Sequence, residues 1–393
     1  MADATNGVLT RIGGLLGIPA EVQNMALPSI GSLATLRYPY MNRLLISVNM
    51  AVDKITPNDP RVKHQFTEVD GHKWHWLDAA PQGEQKGVVV LVHGYPDLSL
   101  AWRYQIPMLM NLGLRCIAID CMGYGRTGAS DKLSDYSFKN HATAIRGIAK
   151  AINAPKVILG GHDWGGMVVY RTAQWCADIV SHVFSVATPY AQPQPQFIST
   201  EQLVAAGMTM FGYQLQFGSE DQVIEKAVHN EAKIRKWLTG LYGGKPSGGR
   251  VIMTPEKGVD LSIVEDDSEI GMSPLLNQEE LDYYVAEWSR NGVHGPCNWY
   301  RTRRVNYEEE LELPENCKNG SSNQITQPVL FIQCLDDHIL IPKLSAGMES
   351  QIPHLSRGEV KTAHWALWQD PENVNRIVKA WFEGVVFGGK TKM

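Results

Sequence analysis

The tightest constraint on this chain is Gly160-Gly161-His162-Asp163-Trp164-Gly165-Gly166, preceded by the apolar run Lys156-Val157-Ile158-Leu159 and followed by a periodic stretch over 167–176. A β-branched run, a Gly-rich turn and a helix with small residues at its start describe a strand-turn-helix corner. Only Gly tolerates the close backbone packing on both sides of such a corner. Its usual form, Gly-x-Ser-x-Gly, is the nucleophile elbow, which holds a reactive side chain on a strained turn above a parallel sheet. Here the central position is Asp163. A carboxylate there can attack an electrophilic carbon and form an ester, so the bond it breaks need not be an acyl bond. The seven residues alone also fit an Asp that caps a helix after a strand. The rest of the chain therefore has to supply a base, an acid and an oxyanion site.

Strands alternate with helices on both sides of this corner. Residues 65–69 and 73–77 flank an Asp70-Gly71 turn and read as a hairpin. The run at 87–92 is continuously apolar, as a central parallel strand covered on both faces must be, 114–120 and 156–159 are read as two more such strands, and a helical pattern occupies 138–152. Another strand reads over 180–187, and the pattern then breaks at Thr188-Pro189-Tyr190. From 189 to about 305 the chain is helical and rich in Trp and Tyr, and the alternation resumes at 328–334. An all-helical insertion of this kind is expected to lie as a cap over the strand ends. The expected fold is α/β, with a mostly parallel central sheet, an inserted helical cap domain, and ligands at the carboxyl ends of the strands. The expected organisation is a lead-in over 1–61, with helices at 9–18 and 33–52, that packs on the body. A first part of the core over 62–188, the cap over 189–305 and a second part of the core over 306–393 follow.

Charge and composition narrow the partners. Lys and Arg number 36 against 41 Asp and Glu, a formal net charge of −5, which predicts no bulk attraction to nucleic acid or to an anionic membrane. No run reaches the ~18 apolar residues of a membrane span, so membrane association is not expected. The start, Met1-Ala2-Asp3-Ala4-Thr5, carries an acid and lacks a basic, then apolar, leader. The six Cys are scattered without a Cys-x-x-Cys pair, which predicts free buried thiols in a reducing, cytoplasmic setting and neither zinc nor disulfides. A monomer and a homodimer both fit.

The remaining catalytic groups are sought at other strand ends. His93-Gly94-Tyr95-Pro96-Asp97 follows the strand at 87–92, and its loop faces the elbow if the two strands are neighbours. The backbone N–H groups of Tyr95 and of Trp164, the residue after the nucleophile, could then receive an oxyanion. Tyr95-Pro96 is a candidate cis peptide. Downstream come Leu335-Asp336-Asp337-His338-Ile339-Leu340-Ile341-Pro342 and then His364, at a strand end before a helix. Nucleophile, acid and His in that chain order are the order of α/β-hydrolases, which makes His364 the candidate base.

From about residue 62 onward the chain resembles the α/β-hydrolase-fold epoxide hydrolases of the soluble type. The motifs that carry this resemblance are His93-Gly94-Tyr95-Pro96, Gly161-His162-Asp163-Trp164-Gly165-Gly166, Gly295-Pro296-Cys297-Asn298-Trp299-Tyr300-Arg301, Asp337-His338-Ile339-Leu340-Ile341-Pro342 and His364-Trp365. The resemblance implies that two cap tyrosines, Tyr213 and Tyr300, hydrogen-bond the epoxide oxygen. It also implies that Asp337 is the triad acid, with Asp336 a weaker rival. The implied substrate is a small apolar epoxide held at Trp164, Tyr213 and Tyr300. Asp163 would open it to an ester, which water activated by His364 would hydrolyse to a vicinal diol, with no metal or organic cofactor. A haloalkane dehalogenase would use the same Asp and His. The cap tyrosines, and Tyr95 where the dehalogenase loop usually offers Asn, speak for the epoxide. A non-catalytic receptor on this fold is a further alternative. Trp237, Met253, Met272 and Trp288 in the cap suit an apolar pocket.

Overall fold

The structure, a computed structural model, describes residues 52–317 and 324–388. The lead-in assigned to 1–61, up to residue 51, and the helix at 9–18 with nearly all of that at 33–52 lie outside the described residues. Strands β1 (Lys63–Val69) and β2 (His72–Ala79) form the expected antiparallel hairpin. Its turn residues Asp70 and Gly71 both have positive φ, 49° and 79°, as a tight hairpin turn requires. Next come β3 (Gly87–Val92), β4 (Leu114–Ile119), β5 (Val157–His162) and β6 (Val180–Val186). Two short strands, β7 (Met253–Thr254) and β8 (Gly258–Val259), lie in the insertion, and β9 (Val329–Cys334) and β10 (Leu355–Val360) follow it.

Eight of these strands make one sheet in the order β1-β2-β4-β3-β5-β6-β9-β10. Every pair from β4 through β10 is parallel; only β1 with β2 and β2 with β4 run antiparallel. All residues of β5 and β9 are buried, so their Val, Ile, Leu and Phe side chains pack between helix layers. Each such side chain contributes about 1.5–3 kcal/mol on leaving water. The chain visits β3, then β4 on one side, then β5 on the other, and a crevice opens at that reversal, beyond the carboxyl ends of β3 and β5. The sequence places the end of β5 at Leu159, but the strand runs on through Gly160-Gly161-His162. Gly160 and Gly161 pair with Leu91 and Val92 on one side and with Phe184 and Ser185 on the other, so two ladders override the weak strand preference of Gly.

The segment between β6 and β9 is the helical insertion. Its longest helices, Glu231–Leu241 and Gln278–Trp288, begin at side-chain caps: Asn230 accepts from the Lys233 N–H, and Asn277 forms a capping box with Glu280. Their apolar faces, Ile234, Trp237 and Leu238 on one and Leu281, Tyr284, Val285 and Trp288 on the other, are buried. The insertion departs from the all-helical expectation at β7 and β8, which pair antiparallel. The Gln216 side chain brackets the backbone of Val259 with two 2.8 Å hydrogen bonds and holds that small hairpin. The insertion is fastened to the core by Arg126 on Glu287 (2.9 Å) and by Asn291, which donates to the Gly125 and Thr127 carbonyls. Among the described residues no helix is long and apolar enough to cross a membrane.

Candidate active site

Four strand ends converge on Asp163. β5 ends in Asp163, β3 in His93 and Tyr95, β9 in Asp337 and β10 in His364. Asp163 takes φ 53° and ψ −127° between β5 and the helix Trp164–Trp175. A non-Gly residue in that region costs about 1–3 kcal/mol, which its surroundings must offset. The Asp163 carbonyl accepts from the Gly166 N–H (2.9 Å) and the Thr188 hydroxyl (2.7 Å). A Cβ on Gly165 would collide with the Val92 carbonyl, and one on Gly94 with the Asp163 carboxylate, so both approaches require glycine.

The two carboxylate oxygens of Asp163 have different partners. Oδ1 accepts from the Tyr95 N–H at 2.8 Å, while Oδ2 lies 3.5 Å from His364 Nε2. Burial pushes the Asp163 pKa up, but the His364 cation, His162 and the Trp164 N–H outweigh it and hold the carboxyl below its ordinary value. The Tyr95–Pro96 peptide is cis, as the sequence suggested.

His364 Nδ1–H donates to Asp337 Oδ2 at 2.8 Å. The other oxygen, Oδ1, accepts from the Ile339 and Leu340 N–H groups at 2.8 and 3.0 Å. Burial raises the Asp337 pKa, yet the imidazolium and those two N–H groups bring it down to about 2. Burial also disfavours the His364 cation, and Asp337 together with Asp163 reverses this, raising its pKa to about 10. Asp336, the rival acid, is exposed, and it is Asp337 that meets the imidazole.

Tyr213 opens the short helix Tyr213–Phe217 and Tyr300 lies in the turn Trp299–Arg301. Their rings meet edge to face with centroids 5.8 Å apart. The Tyr300 ring also packs edge to face on Trp164 at 5.5 Å and on Tyr95 at 5.3 Å. Burial first, and then neighbouring negative charge including that of Asp163, raises both phenol pKa values, so both keep their protons at neutral pH. Trp237 and Trp288 are buried against Tyr95, whereas Met272 is 66% exposed and does not line an enclosed space.

Two histidines that sequence reasoning passed over complete the site. His93 Nδ1–H donates to the Gly94 carbonyl (2.8 Å) and its Nε2 accepts from the Cys121 N–H (3.0 Å), which fixes a neutral tautomer. The C=O and N–H of one trans peptide point in opposite directions. Anchoring the Gly94 carbonyl thus aims the Tyr95 N–H at Asp163. His162 Nε2–H donates to the His364 carbonyl at 2.9 Å, and burial followed by the His364 cation pushes its pKa down to about 4. Both residues lie inside the motifs that signal the site, and that membership was the one available clue.

Comparison with known proteins bears on the fold and the family. Residues 87–371 match the α/β hydrolase fold family. The chain is 39% identical over 343 residues to epoxide hydrolase srdG of Neurospora crassa, covering 84% of this chain and 98% of that one. It is 32% identical over 305 residues to bifunctional epoxide hydrolase 2 of Sus scrofa, covering 75% of this chain and 51% of that protein, so it spans about half the length of this relative. The crystal structure of epoxide hydrolase A from Mycobacterium thermoresistibile superposes with a TM-score of 0.66 at 25% identity, over 82% of this chain and 98% of that one. The chain belongs to the α/β-hydrolase-fold epoxide hydrolases.

Proposed function

We propose that this protein hydrolyses small apolar epoxides to vicinal diols through an ester on Asp163. Oδ2 attacks an epoxide carbon, and the C–O bond of the ring breaks. The departing oxygen takes a proton from Tyr213 or Tyr300, because an alkoxide is too basic to leave unprotonated in an apolar pocket. The ester leaves Oδ1 as its carbonyl oxygen, already at the Tyr95 N–H. Esterification also removes one of the two negative charges that hold the His364 pKa up, so the imidazolium gives up its proton, which restores the phenol that protonated the alkoxide, and the neutral imidazole can take a proton from water. The water oxygen attacks Asp163 Cγ, and the charge that develops on Oδ1 is received by the Tyr95 and Trp164 N–H groups. The intermediate collapses with Oδ2 leaving as a diol oxygen, protonated by His364. Asp337 holds the imidazole tautomer and stabilises its cation.

The observation that carries this reading is the unequal pairing of the Asp163 oxygens: one lies on a backbone N–H, the other toward His364. Protein side chains and water supply every step. Six free, buried cysteines support a reducing, cytoplasmic setting. The test is a single turnover with enzyme in excess in H2(18)O. The first diol should carry no label while the Asp163 peptide gains it. Label in the diol with none in Asp163 would mean direct attack by water and would sink the ester.

A further inference from the structure

The loop that carries the Tyr95 N–H is held from the insertion at three consecutive residues. Trp237 Nε1–H donates to the Tyr95 hydroxyl oxygen at 3.0 Å. The Tyr242 hydroxyl donates to the Pro96 carbonyl at 3.2 Å, and the Tyr284 hydroxyl donates to Asp97 Oδ1 at 2.5 Å. Trp237 and Tyr242 belong to the helix Glu231–Leu241 and its C-terminal cap, and Tyr284 to the helix Gln278–Trp288. All three side chains are fully buried, so breaking any of these bonds strands a polar group away from water. On the core side His93 holds the preceding carbonyl, that of Gly94. The core therefore fixes Gly94 and the insertion fixes residues 95–97. The Tyr242 ring also packs 4.9 Å from Trp365, the neighbour of His364, which ties the same contact to the base.

We propose that Trp237, Tyr242 and Tyr284 are positioning residues for the hydrolytic half of the reaction: the cap acts on chemistry at Asp163 by setting the oxyanion loop. The proposal rests on the ester mechanism above, and its sign follows from the charge on Oδ1. During alkylation that oxygen loses negative charge, as a carboxylate becomes an ester carbonyl. During hydrolysis it gains a full charge. A well-aimed Tyr95 N–H therefore stabilises the hydrolytic transition state and does nothing for, or slightly opposes, alkylation. Loosening the loop should slow hydrolysis alone.

The experiment is rapid-quench mixing of the intact enzyme with a phenyl-substituted epoxide, following ester and free enzyme by intact mass, for wild type and for Trp237→Phe, Tyr242→Phe and Tyr284→Phe. Complete loss of an oxyanion donor costs about 10²–10³ in rate, so misaiming one should slow ester hydrolysis roughly 10-fold. Alkylation should stay within about twofold in Tyr242→Phe and Tyr284→Phe, which lose only a hydroxyl oxygen and keep the ring packing. The ester then accumulates, and kcat and KM fall together with kcat/KM preserved, a split that a general packing defect does not give. Tyr95→Phe deletes the acceptor of the Trp237 bond while keeping the backbone N–H, and it reads the same contact if Trp237→Phe does not fold. Parallel slowing of both steps, or unchanged hydrolysis in all variants, would overturn the clamp and leave the Asp163 ester intact. Absence of any Asp163 ester in wild type would overturn the mechanism and the clamp with it.

Discussion

Replacing Asp337 with Asn tests whether His364 acts as a base in one tautomer. The structure specifies how the amide must sit. Oδ1 of Asp337 accepts two backbone N–H bonds, from Ile339 and Leu340, so the amide oxygen has to stay there, since turning the NH2 toward two donors would forfeit both. The NH2 then takes the place of Oδ2, facing His364 Nδ1. That nitrogen must become an acceptor, and the proton moves to Nε2, which points toward Asp163 Oδ2. An imidazole protonated at Nε2 cannot take a proton from water there. The same change in a Ser-His-Asp triad costs about 10⁴ in kcat. A loss of about 10³–10⁴ is expected here, equivalent to roughly 4–5.5 kcal/mol in the hydrolytic barrier at about 1.4 kcal/mol per tenfold. Alkylation needs no base, so Asp337→Asn should open close to one equivalent of epoxide rapidly and then stall as the ester. Rapid-quench product analysis reads both phases. Steady-state turnover within tenfold of wild type, or a first turnover slowed as much as the second, would refute the tautomer argument.

Other expectations concern the acid side and pH. Tyr213→Phe and Tyr300→Phe should each slow ring opening by up to about 10²-fold, the double variant by more, with hydrolysis of preformed ester unchanged; slowed ester hydrolysis would mean that the phenols serve another step. Folding raises the His364 pKa from its ordinary 6.5 to about 10. Its stabilisation is therefore complete below pH 6.5 and is lost as pH rises through about 10. Urea unfolding across that window should show a steeper loss in wild type than in His364→Gln, since the buried thiols lose stability in both, and equal slopes would contradict the assigned shift.

Much of the fold was legible because it is written in local pattern. The run at 87–92 is apolar without alternation, as a buried parallel strand must be, and it became β3 residue for residue, while the stretch at 180–187 became β6 with one residue to spare. The elbow was legible because glycines at Gly161, Gly165 and Gly166 leave few other corners possible. The course of β5 through Gly160-Gly161-His162 was not, since Gly reads locally as a turn and only pairing with β3 and β6 makes it strand. The small hairpin in the insertion escaped for a related reason: its holder, Gln216, lies far away in sequence from Val259. At the site, Asp163 could be named from the elbow motif, His364 from chain order and Asp337 from the family resemblance, and the structure brings all three together. Asp336 could be set aside only once its exposure was seen. The contacts from Trp237, Tyr242 and Tyr284 to residues 95–97 span more than 140 positions, and no periodicity encodes such pairs.

The central claim is that Asp163 becomes an ester, and the most direct measurement is the intact mass of His364→Gln after mixing with a small aryl epoxide. Removing the base should leave the first intermediate on the protein. The account predicts a gain equal to the whole epoxide, mapped to the peptide that holds Asp163. No adduct while diol still forms would contradict it, as would an adduct that appears only with a bromoalkane and lacks the bromine.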